Sequence, residues 1–135
     1  MLEEAEQKGG GVMRREQLTQ KQALKVLHWC AGQLHLEAWG FQFYYQDDPP
    51  AEIENIAGGN LGKTIIKGYQ RLAIIWVSPA RCGNRKGSIE IICHEIVHVF
   101  MEDNGCENIG SNQEEHIAYT LAVVLTKAYL AGVKC

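Results

Sequence analysis

Apolar residues recur at helical spacing at both ends of this 135-residue chain, and shorter strand-like runs lie between them. Near the start, Leu24, Leu27, Ala31 and Leu34 fall on one helical face. The segment Thr19 to Gln22 before them has the form of a capping box, in which two side chains bond backbone amides at the helix start. The pattern predicts a helix from about 19 to 36.

Two stretches in the middle of the chain have the composition of strands. Trp39 to Gln46 is rich in aromatic residues and ends at the turn-forming residues 47–50, which indicates a strand. Thr64 to Ile66 and the continuously apolar Leu72 to Val77 flank a turn at Gly68. This second stretch predicts a hairpin.

The apolar run through residues 91–100 predicts a buried helix, for which Ser88 is the expected N-cap after a basic loop from Arg81 to Gly87. Polar residues 102–105 predict its end, and a final helix is expected to begin near Ser111. The loop 103–110 between them has few apolar residues, so we expect it to be mobile and to rim the site. Three helices and a small antiparallel or mixed sheet indicate an α+β domain.

Length and composition fit a single domain. A chain of this length with 46% hydrophobic residues can build one core, which we place in residues 16–135 after a flexible N-terminal segment, residues 1–15. The five cysteines are odd in number and show no C-x-x-C spacing, which argues against a disulfide framework. No secretory signal or bilayer-length apolar run is visible. We therefore expect a soluble, cytoplasmic protein with no membrane partner.

Charge is unevenly distributed although the formal net charge is only −3, which makes nucleic-acid binding unlikely. Residues 55–89 contain six basic residues and no acid, whereas residues 90–115 contain seven acids and no Lys or Arg. An acid-rich segment of this kind would tolerate a bound dication.

The acidic segment contains His94-Glu95-Ile96-Val97-His98, which reads H-E-x-x-H. Histidines four residues apart on a helix share one face, about 6 Å from each other, so both can bind one cation. Glu95 can then lie beside a metal-bound water as a general base without being a ligand. Cys93 points about 100° away from His94 and is expected to pack in the core. We expect His28 and His35 to be packed or half-exposed core residues and not ligands.

The chain resembles the zincin superfamily, and within it the small glutamate-zincins of bacteria and phages. The resemblance covers roughly residues 20–130 and is carried by His94-Glu95-x-x-His98 and by Glu115-x-x-Ala118-x-x-x-Ala122. It implies a zincin-like fold, with a mostly antiparallel sheet, a metal helix and a C-terminal ligand helix. It also implies Zn²⁺ held by His94, His98 and Glu115, and peptidase activity on a peptide or protein substrate. The longer metzincin motif is absent, because positions 101 and 105 are Met and Gly.

Glu114 competes with Glu115 for the place of third ligand. Ser111 to Glu114 matches the capping box S-x-x-E, which would turn Glu114 back to the helix start and leave Glu115 for the metal. The alternative is that Asn112 caps the helix and Glu115 closes the box, which would free Glu114. Tyr119, one turn after Glu115, is a candidate to polarise a substrate carbonyl, or else a packed aromatic residue.

Two functions are compatible with these residues. The first, which the resemblance implies, is a zinc metallopeptidase. If the resemblance holds, strand 72–77 offers an edge to which an extended peptide adds. The second is a zinc-stabilised, non-catalytic binding or regulatory module whose basic hairpin docks an acidic partner or nucleic acid. The oligomeric state is left open.

Overall fold

The computed structural model describes residues 17–53, 60–106 and 110–132. Its helices and strands, in chain order, are α1 Gln20–Gln33, β1 Gly40–Tyr45, β2 Gly62–Lys67, β3 Leu72–Val77, α2 Pro79–Cys82, α3 Arg85–Asp103 and α4 Ser111–Gly132. A short 3-10 turn, Gly68–Gln70, joins β2 to β3. The α+β class is confirmed. The predicted flexible segment, residues 1–15, lies outside the described residues.

The three strands form one mixed sheet in the order β1-β3-β2. The predicted hairpin is confirmed, since β2 pairs antiparallel with β3 and places Thr64 opposite Ile75. On the other side β1 runs parallel to β3 and places Phe43 opposite the same Ile75. The sheet is therefore mixed, with one parallel and one antiparallel pair, and is not mostly antiparallel as the resemblance implies.

Strand β3 occupies the centre of this sheet and has a strand on each side. The prediction that strand 72–77 offers an edge to a peptide is therefore wrong. A central strand that is covered on both faces reads as a continuous apolar run, as β3 does. Within the described residues, the edge strand next to α3 is β2.

The main core lies on the face of the sheet that α1 and α3 cover. Alternate residues of β3, Ala73, Ile75 and Val77, point into this core, and Ile74 and Trp76 form a smaller cluster with Ile53 on the opposite face. Helix α4 packs along α3 through Ala118 and Ala122, both fully or almost fully buried. These small side chains let the two helices approach closely, as their spacing predicts.

Helix starts are set by side-chain caps. The predicted capping box of α1 is confirmed, since Gln22 N donates to Thr19 Oγ1 at 3.1 Å and Thr19 N donates to Gln22 Oε1 at 2.9 Å. Ser88 does not cap α3. The helix begins three residues earlier, at Arg85, where Asn84 Oδ1 accepts from Gly87 N at 2.8 Å.

Ser88 is instead buried inside the first turns of α3, and its hydroxyl accepts a 3.0 Å hydrogen bond from Tyr45 Oη on β1. The segment expected to be a basic loop thus holds the end of helix α2, which Ser78 caps, and the first turn of α3. Among the described residues, no helix combines the length and the apolar character that crossing a membrane requires.

Candidate metal centre

The two histidines of the H-E-x-x-H segment lie one turn apart on α3, and their rings meet edge to face. Their Nε2 atoms are 3.3 Å apart, so both point to the same place. Both rings are largely buried against the helix, which limits how far they can rotate. The predicted shared face is therefore present, and the sheet and α4 enclose it.

Helix α4 brings Glu115 to these two nitrogens. Its Oε1 lies 3.1 Å from His94 Nε2 and its Oε2 lies 3.3 Å from His98 Nε2. His94, His98 and Glu115 each offer a ligand atom, and these atoms all lie within 4.8 Å of one another. The Glu115 side chain is 63% exposed, so it reaches the histidines from the open side of the site.

The separations match those of a tetrahedral zinc site. Nitrogen and carboxylate ligands at about 2.0–2.2 Å from zinc, at tetrahedral angles, lie about 3.3–3.6 Å from one another. The two Nε2 atoms are 3.3 Å apart, and they lie 3.1 and 3.3 Å from different oxygens of the Glu115 carboxylate, so each of these pair separations agrees with this to within a few tenths of an ångström. The two histidines and Glu115 therefore have an arrangement that could hold a metal ion through three protein ligands.

Glu114 also contacts the histidine pair, but at a different atom. Its Oε2 lies 2.8 Å from His98 Nδ1, on the side of the ring opposite Nε2. Both adjacent glutamates therefore reach an imidazole, but only Glu115 lies at the two Nε2 atoms. The 100° between them places Glu115 at the ring tips and Glu114 at the back of His98.

This contact also replaces the predicted capping box. The Glu114 carboxylate is directed to His98, and the Glu114 backbone amide donates to Gly110 O at 2.9 Å. An acceptor at Nδ1 fixes the tautomer and the orientation of an imidazole whose Nε2 binds a metal. Glu114 is therefore placed to orient His98.

Glu95 lies at the floor of the site and is 7% exposed. Thr64 of β2 donates its hydroxyl to Glu95 Oε1 at 2.5 Å. Burial raises the pKa of Glu95, whereas the Thr64 hydrogen bond and the neighbouring histidines lower it. Burial is the larger effect, so the pKa lies above its ordinary value. The carboxylate is thus held in one orientation in a site with little water.

Gly62 makes room for this carboxylate. A Cβ at position 62 would lie 3.4 Å from Glu95 Oε2 and only 2.8 Å from the carbonyl oxygen of Trp76. Neither Gly62 nor Thr64 was among the site residues predicted from the sequence. Side chains alternate between the two faces of a strand, which could have indicated that Gly62 and Thr64 share a face of β2. No local sequence pattern indicates that this face meets Glu95.

A cleft of about 500 Å³ runs between β2 and α3 and is closed at one end by the first turn of α4. The two histidines, Glu95, Glu114 and Glu115 all line it. Tyr119 does not line the cleft and is 63% exposed, so its hydroxyl is not placed at the site. Neither His28 nor His35 belongs to the metal-ligating group found among the described residues.

The prediction that the loop 103–110 is mobile falls partly outside the described residues, because 107–109 are not among them. Its described start is a helix end, where Asn104 ends α3 and Gly105 takes a positive φ of 72°. A glycine in this conformation after a helix confirms the predicted end of α3.

Comparison with models of protein families, with curated proteins and with solved structures gave no match to this chain.

Proposed function

We propose that this protein is a zinc-dependent peptidase of zincin-like fold, in which His94, His98 and Glu115 hold Zn²⁺. The observation that carries the proposal is the convergence of three ligand groups: the two Nε2 atoms are 3.3 Å apart, and they lie 3.1 and 3.3 Å from the two oxygens of the Glu115 carboxylate. Two imidazoles and a carboxylate are ligands that zinc prefers. Three protein ligands leave a fourth position open, which is typical of catalytic zinc and not of structural zinc.

Glu95 is the general base in this proposal. Zinc in such a site supplies a water of lowered pKa and a Lewis acid for a carbonyl. Glu95 takes the proton of the attacking water and delivers it to the leaving amine. Thr64 keeps one carboxylate oxygen hydrogen-bonded and so fixes the direction of the other.

The substrate would lie along β2. This strand is at the edge of the sheet and forms one wall of the cleft, with Gly62, Thr64 and Ile66 facing the site. An extended peptide can pair with such an edge by main-chain hydrogen bonds, which bind the backbone whatever the side chains are. This position takes over the role that the sequence suggested for strand 72–77.

The test is metal analysis of the purified protein, followed by cleavage of a peptide library. We expect one zinc per chain, cleavage that stops with a chelator, and recovery when Zn²⁺ is added back. A His94→Ala, His98→Ala variant is the matched control for a contaminating protease, because it should lack both zinc and activity. Cleavage that survives the chelator and this double substitution would contradict the proposal.

A second candidate is a zinc-stabilised module without catalysis, which binds an acidic partner. It is favoured by the β2–β3 hairpin, where Lys63, Lys67 and Arg71 are all exposed. In that case partner binding would weaken with salt and would be unaffected by Glu95→Gln. Peptide cleavage is the measurement that separates the two candidates.

A further inference from the structure

Two cysteines meet in the core, away from the cleft. Cys30 of α1 and Cys93 of α3 are both fully buried, and their sulfur atoms are 2.8 Å apart. Both are free thiols. A disulfide bond is about 2.05 Å long, so closing the pair requires the sulfurs to move by less than about 1 Å.

This pair stands apart from the other described cysteines. Cys82 and Cys106 are only partly buried, and neither makes a sulfur–sulfur contact with another described cysteine. The composition argues against a disulfide framework, in which many bridges replace a core. A single bridge inside an existing core is a different case, because here the fold has already brought the thiols together.

We propose that Cys30 and Cys93 are a redox modification site, a dithiol that a peroxide converts to an intramolecular disulfide. Hydrogen peroxide oxidises one thiol to a sulfenic acid and leaves as water. The second sulfur then attacks the sulfenic sulfur, forming the S–S bond and releasing a second water. The two thiols lose two electrons and two protons, and one peroxide is reduced to two waters.

The bridge would join two helices that pack on the same face of the sheet. Cys93 directly precedes His94, so the bond would tie the metal helix to α1 at the turn that carries the first histidine. The cysteines are 63 positions apart, and a cross-link across so long a loop restricts the unfolded chain strongly. Because both sulfurs are buried, oxidation depends on local opening and should be slow.

The test uses the full chain, treated with hydrogen peroxide, quenched with catalase, and then unfolded in an alkylating agent. Intact mass should show two fewer alkylated thiols and the loss of two hydrogen atoms, and peptide mapping should place the bridge between Cys30 and Cys93. The bridged chain should melt higher than the reduced chain by roughly 5–15 °C. A reductant under unfolding conditions should reverse both changes.

Four single substitutions provide the controls. Cys30→Ser and Cys93→Ser should each abolish the bridge, whereas Cys82→Ser and Cys106→Ser should keep it. If the core variants do not fold, the peptide map of the wild-type chain decides alone. Five alkylatable thiols after peroxide treatment, oxidation that proceeds to sulfinic acid without a bridge, or a bridge through a different pair would overturn the proposal.

Discussion

Replacing Glu114 and Glu115 separately by alanine distinguishes a zinc ligand from a residue that orients a ligand. Glu115 lies at 3.1 and 3.3 Å from the Nε2 atoms of the two histidines, where the metal would bind. Glu114 lies 2.8 Å from Nδ1 of His98, on the other side of the ring from Nε2. This contact therefore does not bring Glu114 to a metal that is bound at Nε2. The two substitutions remove the same carboxylate group from adjacent positions, so they differ mainly in which atom loses its partner.

The two substitutions should weaken zinc binding by different factors. Loss of a carboxylate that orients a ligating histidine typically weakens metal binding by 10–100-fold, or about 1.4–2.7 kcal/mol. We expect Glu114→Ala to fall in this range. Glu115→Ala removes one of three protein ligands and should weaken zinc binding by more than about 100-fold, beyond the range for an outer partner.

The assay is competition for zinc with a chromophoric chelator at fixed pH, with circular dichroism to check that each variant is folded. Gln113→Ala is the matched control, since Gln113 is exposed in the same turn and does not line the cleft. Its zinc affinity should stay within about twofold of the wild type. A larger loss for Glu114→Ala than for Glu115→Ala would refute the ligand assignment.

Urea unfolding of two further variants and one control variant tests the packing behind the site. Gly62→Ala should destabilise the protein by about 1–3 kcal/mol, because the new Cβ would lie 2.8 Å from the carbonyl oxygen of Trp76. Gly40→Ala is the control, because the nearest neighbour of its new Cβ is a leucine carbon at 3.6 Å. It should change the free energy of unfolding by less than about 0.5 kcal/mol. Equal stability of the two variants would contradict the close approach of β2. Tyr45→Phe should lower the free energy of unfolding by about 1–3 kcal/mol, because it removes the hydroxyl that donates a 3.0 Å hydrogen bond to the buried Ser88. An unchanged midpoint of urea unfolding would argue against that hydrogen bond.

Local patterns in the sequence were sufficient for much of the fold. The capping box at Thr19, the turn at Gly68 and the helix end at Gly105 each depend on residues a few positions apart, and the structure confirms them. The start of α3 was missed because Asn84 and Ser88 are both good caps. Burial of Ser88 against Tyr45, which is 43 residues away, decides between them.

The strand order could not be read from the sequence. An apolar run such as β3 is compatible with an edge or a central position, and the parallel pairing with β1 depends on contacts about 30 residues apart in the chain. The hairpin alone left the other side of β3 unassigned. The edge that a peptide would use was therefore placed on the wrong strand.

In the candidate site too, the sequence predicts what depends on residues close together in the chain and misses what depends on distant contacts. The i, i+4 spacing is enough to place His94 and His98 on one face, because helix geometry fixes it. The partners of these side chains come from other elements: Thr64 is 31 residues from Glu95, and Glu114 is 16 residues from His98. Local signals predicted that the Glu114 side chain caps the start of α4. The packing of α4 on α3 directs that side chain to His98 instead.

The most direct test of the proposed peptidase is the comparison of wild type with Glu95→Gln on one peptide, with zinc content measured in both samples. Glu95 is not among the three residues whose ligand atoms converge, so the variant should bind one zinc with unchanged affinity. Without the general base, cleavage should slow by about 10²–10⁴-fold. Equal cleavage rates in the two zinc-loaded proteins would contradict the proposed mechanism.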